Sequence, residues 1–241
     1  MSENCYEKHL NIGALIFNDI DQFDFTGPFE ILSRIPNSTI HIVSKDRGIV
    51  RDMQGLQIVA DTSFDDVPPL DVLLIPGGYG QEQAALDDDV LTFIRQQAES
   101  ALYVFMVCTG TLICAAAGLL HDRKATTHWT AMEVLPFYGV FPRDDRVVID
   151  GKFISVGGVT SGLDGALVLA ALLRSDQVAK ELQLYLAYDP QPPFDSGSPM
   201  KASADVLDAV RVQAQKITER RLASARKYAS MTLVPLQQDD L

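Results

Sequence analysis

Short apolar runs rich in β-branched residues alternate along this chain with stretches of helical periodicity. Leu10–Phe17, Thr39–Ser44, Asp71–Pro76 and Leu102–Val107 read as four strands. Their apolar residues are nearly continuous rather than alternating, as expected of parallel strands buried on both faces. Between them, Pro28–Arg34 reads as a short crossover helix with proline in its first turn after Gly27, and Val90–Ala98 as another behind the acidic cap Asp87–Asp89. Ile49–Asp61 alternates around Met53-Gln54-Gly55 and predicts a small hairpin set on the main sheet. Further on, the pattern predicts a small-residue helix over Thr109–Gly118, a short run at Lys124–Thr127 and a helix near Thr130–Tyr138. A hairpin over Arg146–Val156 turns at Asp150-Gly151. Ser161–Arg174 and Gln177–Ala187 read as strongly apolar helices, the first fully buried, Asp189–Pro199 as a loop and Ala202–Lys227 as a final helix. The expectation is an α/β fold: a doubly wound, mostly parallel sheet with helices on both faces, formed by residues 1–200 as one domain. Residues 201–241 form a C-terminal helical extension packed on or near it.

Composition narrows the function. The chain has 241 residues, 47% hydrophobic and 22% charged, enough for a substantial core. Its net charge of −12 disfavours nucleic acid or an anionic membrane as partner and leaves small molecules or another copy of itself. The basic residues of the final helix, Arg221 among them, are interspersed with Asp205, Asp208 and Glu219 and read as a solvated face. Glu3, Glu7, Lys8 and His9 precede the first apolar run, and no export signal or membrane span is expected. Three cysteines without CxxC spacing suggest no disulfide framework and no metal site, which fits a reducing cytoplasm. Cys114 lies ~9 Å along the helix from Cys108 and is expected in the core.

In an open doubly wound sheet, ligands bind beyond the carboxyl ends of the strands, where strand order reverses. With the flavodoxin-like order 2-1-3-4, the ends of strands one, three and four converge. Asp24 follows the first, Gly77-Gly78-Tyr79-Gly80 the third and Cys108 the fourth. Cys108 stands where a strand stops and a helix starts; the helix dipole there favours a thiolate, although a small buried hydrophobe is the alternative reading. Gly77 and Gly78 offer backbone N–H groups that can approach reacting atoms, or simply a tight turn. Asp24 is a helix-entry carboxylate or, partly desolvated beside a thiol, an acid–base group of raised pKa. The Thr109 hydroxyl orients substrate or water, or bonds the backbone. His128 polarises the thiol or packs as a structural residue; His41 reads as structural, and His9 and His121 as surface residues. Phe25, Trp129, Tyr185 and Phe194 are candidates to shape an apolar pocket. Neither a GxxxxGK[ST] loop nor a GxGxxG fingerprint is present, which argues against a nucleotide.

Asp24-Phe-Thr-Gly-Pro28, Ile75-Pro-Gly-Gly78, Val107-Cys-Thr-Gly110, Ala117-Gly-Leu-Leu120, Ala125-Thr-Thr-His-Trp129 and Gly157-Gly-Val-Thr-Ser-Gly-Leu-Asp164 occur in this order. Together they resemble the ThiJ/PfpI superfamily and, within it, the isonitrile hydratases; the loop Pro192–Pro199 favours that branch. The resemblance spans about residues 10 to 200 and implies a flavodoxin-like, class I glutamine amidotransferase-like fold and a homodimer. It also implies no metal or organic cofactor, and cysteine-dependent hydration of an isonitrile to an N-substituted formamide through a thioimidate. It places the nucleophile on Cys108, the acidic partner on Asp24 and a neighbouring hydroxyl on Thr109. Peptidase-like members of the superfamily often carry histidine where Thr109 stands, and glyoxalase or deglycase-like members usually carry glutamate where Asp24 stands. The same motifs occur in the sensor half of AraC-type regulators, so a non-catalytic small-molecule-binding or oxidation-sensing domain is the rival expectation, and a glyoxalase or deglycase-like enzyme is the other alternative.

Overall fold

Every central strand feeds two cores at once. In the computed structural model, which describes residues 8–232, β1 (Leu10–Leu15), β2 (Ser38–Ser44), β6 (Val72–Ile75) and β7 (Tyr103–Val107) are parallel. Along β7, Val104 and Met106 face one apolar cluster while Phe105 and Val107 face the other. Along β6, Leu73 and Ile75 divide in the same way from Val72 and Leu74. This two-sided burial is why the runs are continuous in sequence, each fully buried side chain contributing about 1.5–3 kcal/mol.

The remaining strands are β3 (Gly48–Arg51), β4 (Gln57–Ala60), β5 (Thr62–Ser63), β8 (Lys124–Ala125), β9 (Phe141–Pro142), β10 (Val147–Asp150) and β11 (Phe153–Val156). The main sheet runs β10-β11-β7-β6-β1-β2-β5, parallel except at the antiparallel β10–β11 edge. Its centre has the order expected for the first four strands. The β10–β11 hairpin pairs Asp150 with Phe153, so its two-residue loop is Gly151-Lys152, with Gly151 at φ 60°. β3 and β4 form a hairpin as expected, but as a separate two-stranded sheet.

Helices α1 (Gln22–Leu32), α5 (Ser161–Leu173) and α6 (Asp176–Tyr185) supply side chains to one cluster. Helices α3 (Asp88–Ser100), α4 (Gly110–Ala116), the 3₁₀ helix Trp129–Tyr138 and α7 (Ala204–Thr232) supply the other, and α2 (Gln81–Ala84) is a single turn. Two expectations are corrected. α1 starts at Gln22, not at Pro28, because Asp21 caps it by accepting the Phe23 N–H at 3.1 Å. Pro28 is tolerated inside the helix, and its ring leaves the Asp24 carbonyl without its usual donor four residues on. α5 is buried along one face only, since Leu172 on the other is exposed, and α6 exposes Leu184 and Tyr185. Glu3, Glu7, Cys5 and residues 233–241 lie outside the described residues. No helix among the described residues is long and apolar enough to cross a membrane.

Candidate active site

The ends of β1, β6 and β7 do converge, and glycines make the convergence possible. Cys108 follows β7 at φ 56°, a left-handed conformation that costs about 1–3 kcal/mol for a residue with a Cβ. Its N–H donates to the Val156 carbonyl at 3.0 Å, and the Thr127 hydroxyl donates to its carbonyl at 2.8 Å. Gly158, at φ 72°, lies against the side chain so closely that a Cβ there would meet the Cys108 Cβ at 2.5 Å and its Sγ at 3.0 Å. A Cβ at Gly110 would meet the Ile75 carbonyl at 2.1 Å, so the helix carrying the elbow can abut β6 only with glycine at that position.

Asp24, in the first turn of α1, is 0% exposed. The Gly77 N–H donates to its Oδ2 at 3.1 Å, and its Oδ1 is buried without a hydrogen-bond partner. The Gly78 N–H donates to the Thr109 Oγ1 at 3.2 Å, and that hydroxyl returns a bond to the Gly78 carbonyl at 3.4 Å. This corrects the reading of Gly77 and Gly78 as free donors for reacting atoms: both N–H groups are engaged in holding Asp24 and Thr109. A Cβ at Gly77 would come within 2.6 Å of Thr109 and 3.0 Å of the Asp24 carboxylate, so glycine there allows the turn to clasp both.

The electrostatics also differ from the sequence expectation. Burial, followed by the Asp24 charge, pushes the Cys108 thiol well up, and the Thr109 N–H and Arg221 only partly oppose this. The start of a seven-residue helix does not outweigh the loss of water and a facing carboxylate. Burial, then the Asp21 carboxylate, raises Asp24 well above the ordinary range, against smaller lowering contributions from Cys108 and the Gly77 N–H. Two buried acids face one another, and the favoured arrangement keeps a proton between them. His128 is pushed down to about 4, mainly by burial and secondarily by Arg221, and is neutral at pH 7. Its Nδ1 accepts the Thr130 N–H at 3.4 Å as the cap of the 3₁₀ helix, which leaves Nε2 to carry the proton.

A cavity of about 210 Å³ opens over Cys108, lined also by Thr109, Gly78, His128 and Asp21. Phe25, Trp129, Tyr185 and Phe194 do not line it: Phe25 is in the core, Tyr185 is 75% exposed and Phe194 79% exposed. What sequence reasoning missed is Arg221. It is not on a solvated face; it is 5% exposed, donating from Nη2 to the Gly78 carbonyl at 3.3 Å and from Nε to the Gln81 Oε1 at 3.1 Å. The signal was there in the spacing Val210, Ala214, Ile217, Arg221, Ala225, one stripe of a helix. Arg221→Gln is expected to slow carboxamidomethylation of Cys108 at pH 8 by about tenfold, measured by mass at that peptide, because the cation that favours the thiolate is gone. Among the described residues no three histidine, cysteine or acidic side chains gather as metal ligands.

This fold, with a cysteine at a strand-to-helix elbow beside a buried carboxyl, defines a class. The DJ-1/PfpI family pattern matches residues 11–171, and the chain belongs to that family. It is 45% identical over 221 residues to the isonitrile hydratase of Pseudomonas putida, covering 89% of this chain and 97% of that relative. To deglycase PfpI of Pyrococcus furiosus it is 27% identical over 148 residues, covering 61% of this chain and 89% of the relative. A solved ThiJ/PfpI family protein from Pseudomonas syringae matches with a TM-score of 0.89 and 35% identity, over 93% of this chain and 96% of that one.

Proposed function

We propose that the protein hydrates isonitriles to N-substituted formamides, with Cys108 as nucleophile and Asp24 as general acid and base. The observation that carries this reading is the Oδ1 of Asp24, buried without a hydrogen-bond partner beside Cys108, whose side chain lines the cavity. The 45% identity to an isonitrile hydratase over most of both chains supports the choice of substrate. An isonitrile carbon is electrophilic, and after attack it becomes a carbanion that must be protonated; a nucleophile and a proton donor are needed at one carbon. Asp24 takes the thiol proton as the S–C bond forms and delivers it to that carbon, which leaves a thioimidate, S–CH=N–R. Water then adds across C=N with Asp24 as base, and the tetrahedral adduct expels the thiol and releases the formamide. Thr109 steadies the Gly78 turn, and the neutral His128 can donate from Nε2 to the incoming water or the substrate nitrogen.

Multiple turnovers of an aryl isonitrile, followed as formamide, with a transient Cys108 adduct in intact mass spectra, are the expected result. Absence of turnover across aryl and alkyl isonitriles would overturn the reading. The pH profile of kcat/KM is expected to be a bell. The rising limb follows ionisation of Asp24, displaced upward from ordinary carboxylates, because the acid form cannot accept the thiol proton. The falling limb follows loss of the shared proton as Cys108 ionises, also displaced upward. The same reading includes a homodimer in a reducing cytoplasm, checked by light scattering for twice the 26.4 kDa chain mass.

A further inference from the structure

The catalytic floor of the cavity comes from the ends of β1, β6 and β7, but much of its opposite wall comes from α7. Val210, Ala214 and Ile217 lie along one stripe of that helix and line the cavity with Val159 and Met53. α7 is fixed in place at several points. Besides the Arg221 bonds, the Thr218 hydroxyl donates to the Thr130 carbonyl at 3.2 Å, Arg220 pairs with Glu82 at 2.7 Å, and the Tyr228 and Tyr138 rings lie 4.8 Å apart. These contacts hold α7 against the body of the fold from Thr218 to Tyr228, directly after the residues that line the cavity.

We infer that α7 is the specificity-determining element of this site: its Val210, Ala214 and Ile217 form an apolar subsite for the substituent on the substrate nitrogen. This rests on the hydratase reading for the identity of the substrate. A free isonitrile is linear at its C–N–R unit, so one that approaches with its carbon toward Cys108 points R away from the floor and toward the facing wall. Along this stripe the wall offers aliphatic side chains, beside the Gln213 amide and the Arg221 guanidinium that is held on the Gly78 carbonyl, and α7 brings no carboxylate to it, which suits an uncharged hydrocarbon substituent. Ala214 has the smallest side chain of the stripe and sits between the other two, so it sets how large R can be. Discrimination in such an apolar subsite runs at about tenfold or more for a change of a few methylenes.

The experiment compares cyclohexyl isonitrile with methyl isonitrile in the full-length protein and in Ala214→Leu and Ile217→Ala. Ala214→Leu is expected to lower kcat/KM for the cyclohexyl compound by about tenfold while changing the methyl compound by less than about twofold; Ile217→Ala is expected to shift the ratio toward the larger substrate. A second readout does not depend on hydration: the rates at which N-cyclohexylmaleimide and N-methylmaleimide label Cys108, read at its peptide. The label ratio is expected to move in the same directions. If wild-type protein turns over no isonitrile but the maleimide ratio shifts, the substrate assignment fails and the wall assignment holds. Unchanged ratios in both variants, or equal losses for large and small reagents, overturn the assignment of α7.

Discussion

Cys108→Ala is expected to abolish isonitrile turnover, a loss of at least about 10⁴-fold that leaves only background hydration, with no adduct by intact mass. Among the described residues no other thiol can substitute, because Cys114 is buried and burial pushes its pKa up out of the working range. The protein should remain folded. Alanine keeps the Cβ that contacts Gly158, the backbone bond to Val156 is unaffected, and only one buried sulfur is lost. A melting temperature within about 2–4 °C of wild type, the scale of one kcal/mol for a chain of this size, separates loss of chemistry from loss of structure. Retained turnover in Cys108→Ala would remove the covalent route altogether.

Asp24→Asn is expected to act in opposite directions on activity and stability. Turnover falls by about 10²–10⁴-fold, because an amide can neither accept the thiol proton nor deliver it to carbon. Stability at neutral pH rises. The native carboxyl is raised above its unfolded value, so the folded state binds the proton more tightly. The stability it contributes is fully present below the ordinary carboxylate range and is lost as pH rises through the native value. Above that pH the wild-type protein carries a buried charge that asparagine lacks, while the amide oxygen still accepts the Gly77 N–H. A melting temperature about 2–4 °C higher than wild type at pH 8, with no difference at pH 3, is the expected pattern. A variant equally destabilised at both values would show that Asp24 is a structural residue.

Much of the architecture was legible because burial on both faces writes itself directly into the strands. Val104 to Val107 is apolar without a break, since each side chain meets one or the other core, and the parallel order at the centre follows. The meeting of Asp24, Gly78 and Cys108 was legible for the same reason, as all three lie just past strand ends. The start of α1 was obscured by Pro28, which resembles a first-turn residue locally, whereas the cap at Asp21 decides the boundary. The state of the Cys108 thiol was not legible at all. A helix start is a local feature, but the removal of water and the approach of Asp24 are properties of the assembled fold. Arg221 was hidden by composition: among alternating charges on an amphipathic helix, one guanidinium that turns inward looks like its neighbours. The two glycine N–H groups illustrate the remaining gap, because sequence locates donors without saying what already occupies them.

The dependence of the cavity on α7 has a bearing on how this protein matures. α7 is synthesised after every strand of the sheet, and the elbow with its facing carboxyl is encoded well before it. A chain that folds as it is synthesised would bring its nucleophile and proton carrier together while the pocket above them is open on one side and lacks the Arg221 cation. In that interval the thiol is exposed to any small electrophile. Docking of the helix supplies the cation and the shape together, so chemistry and discrimination become coupled at one late step of folding.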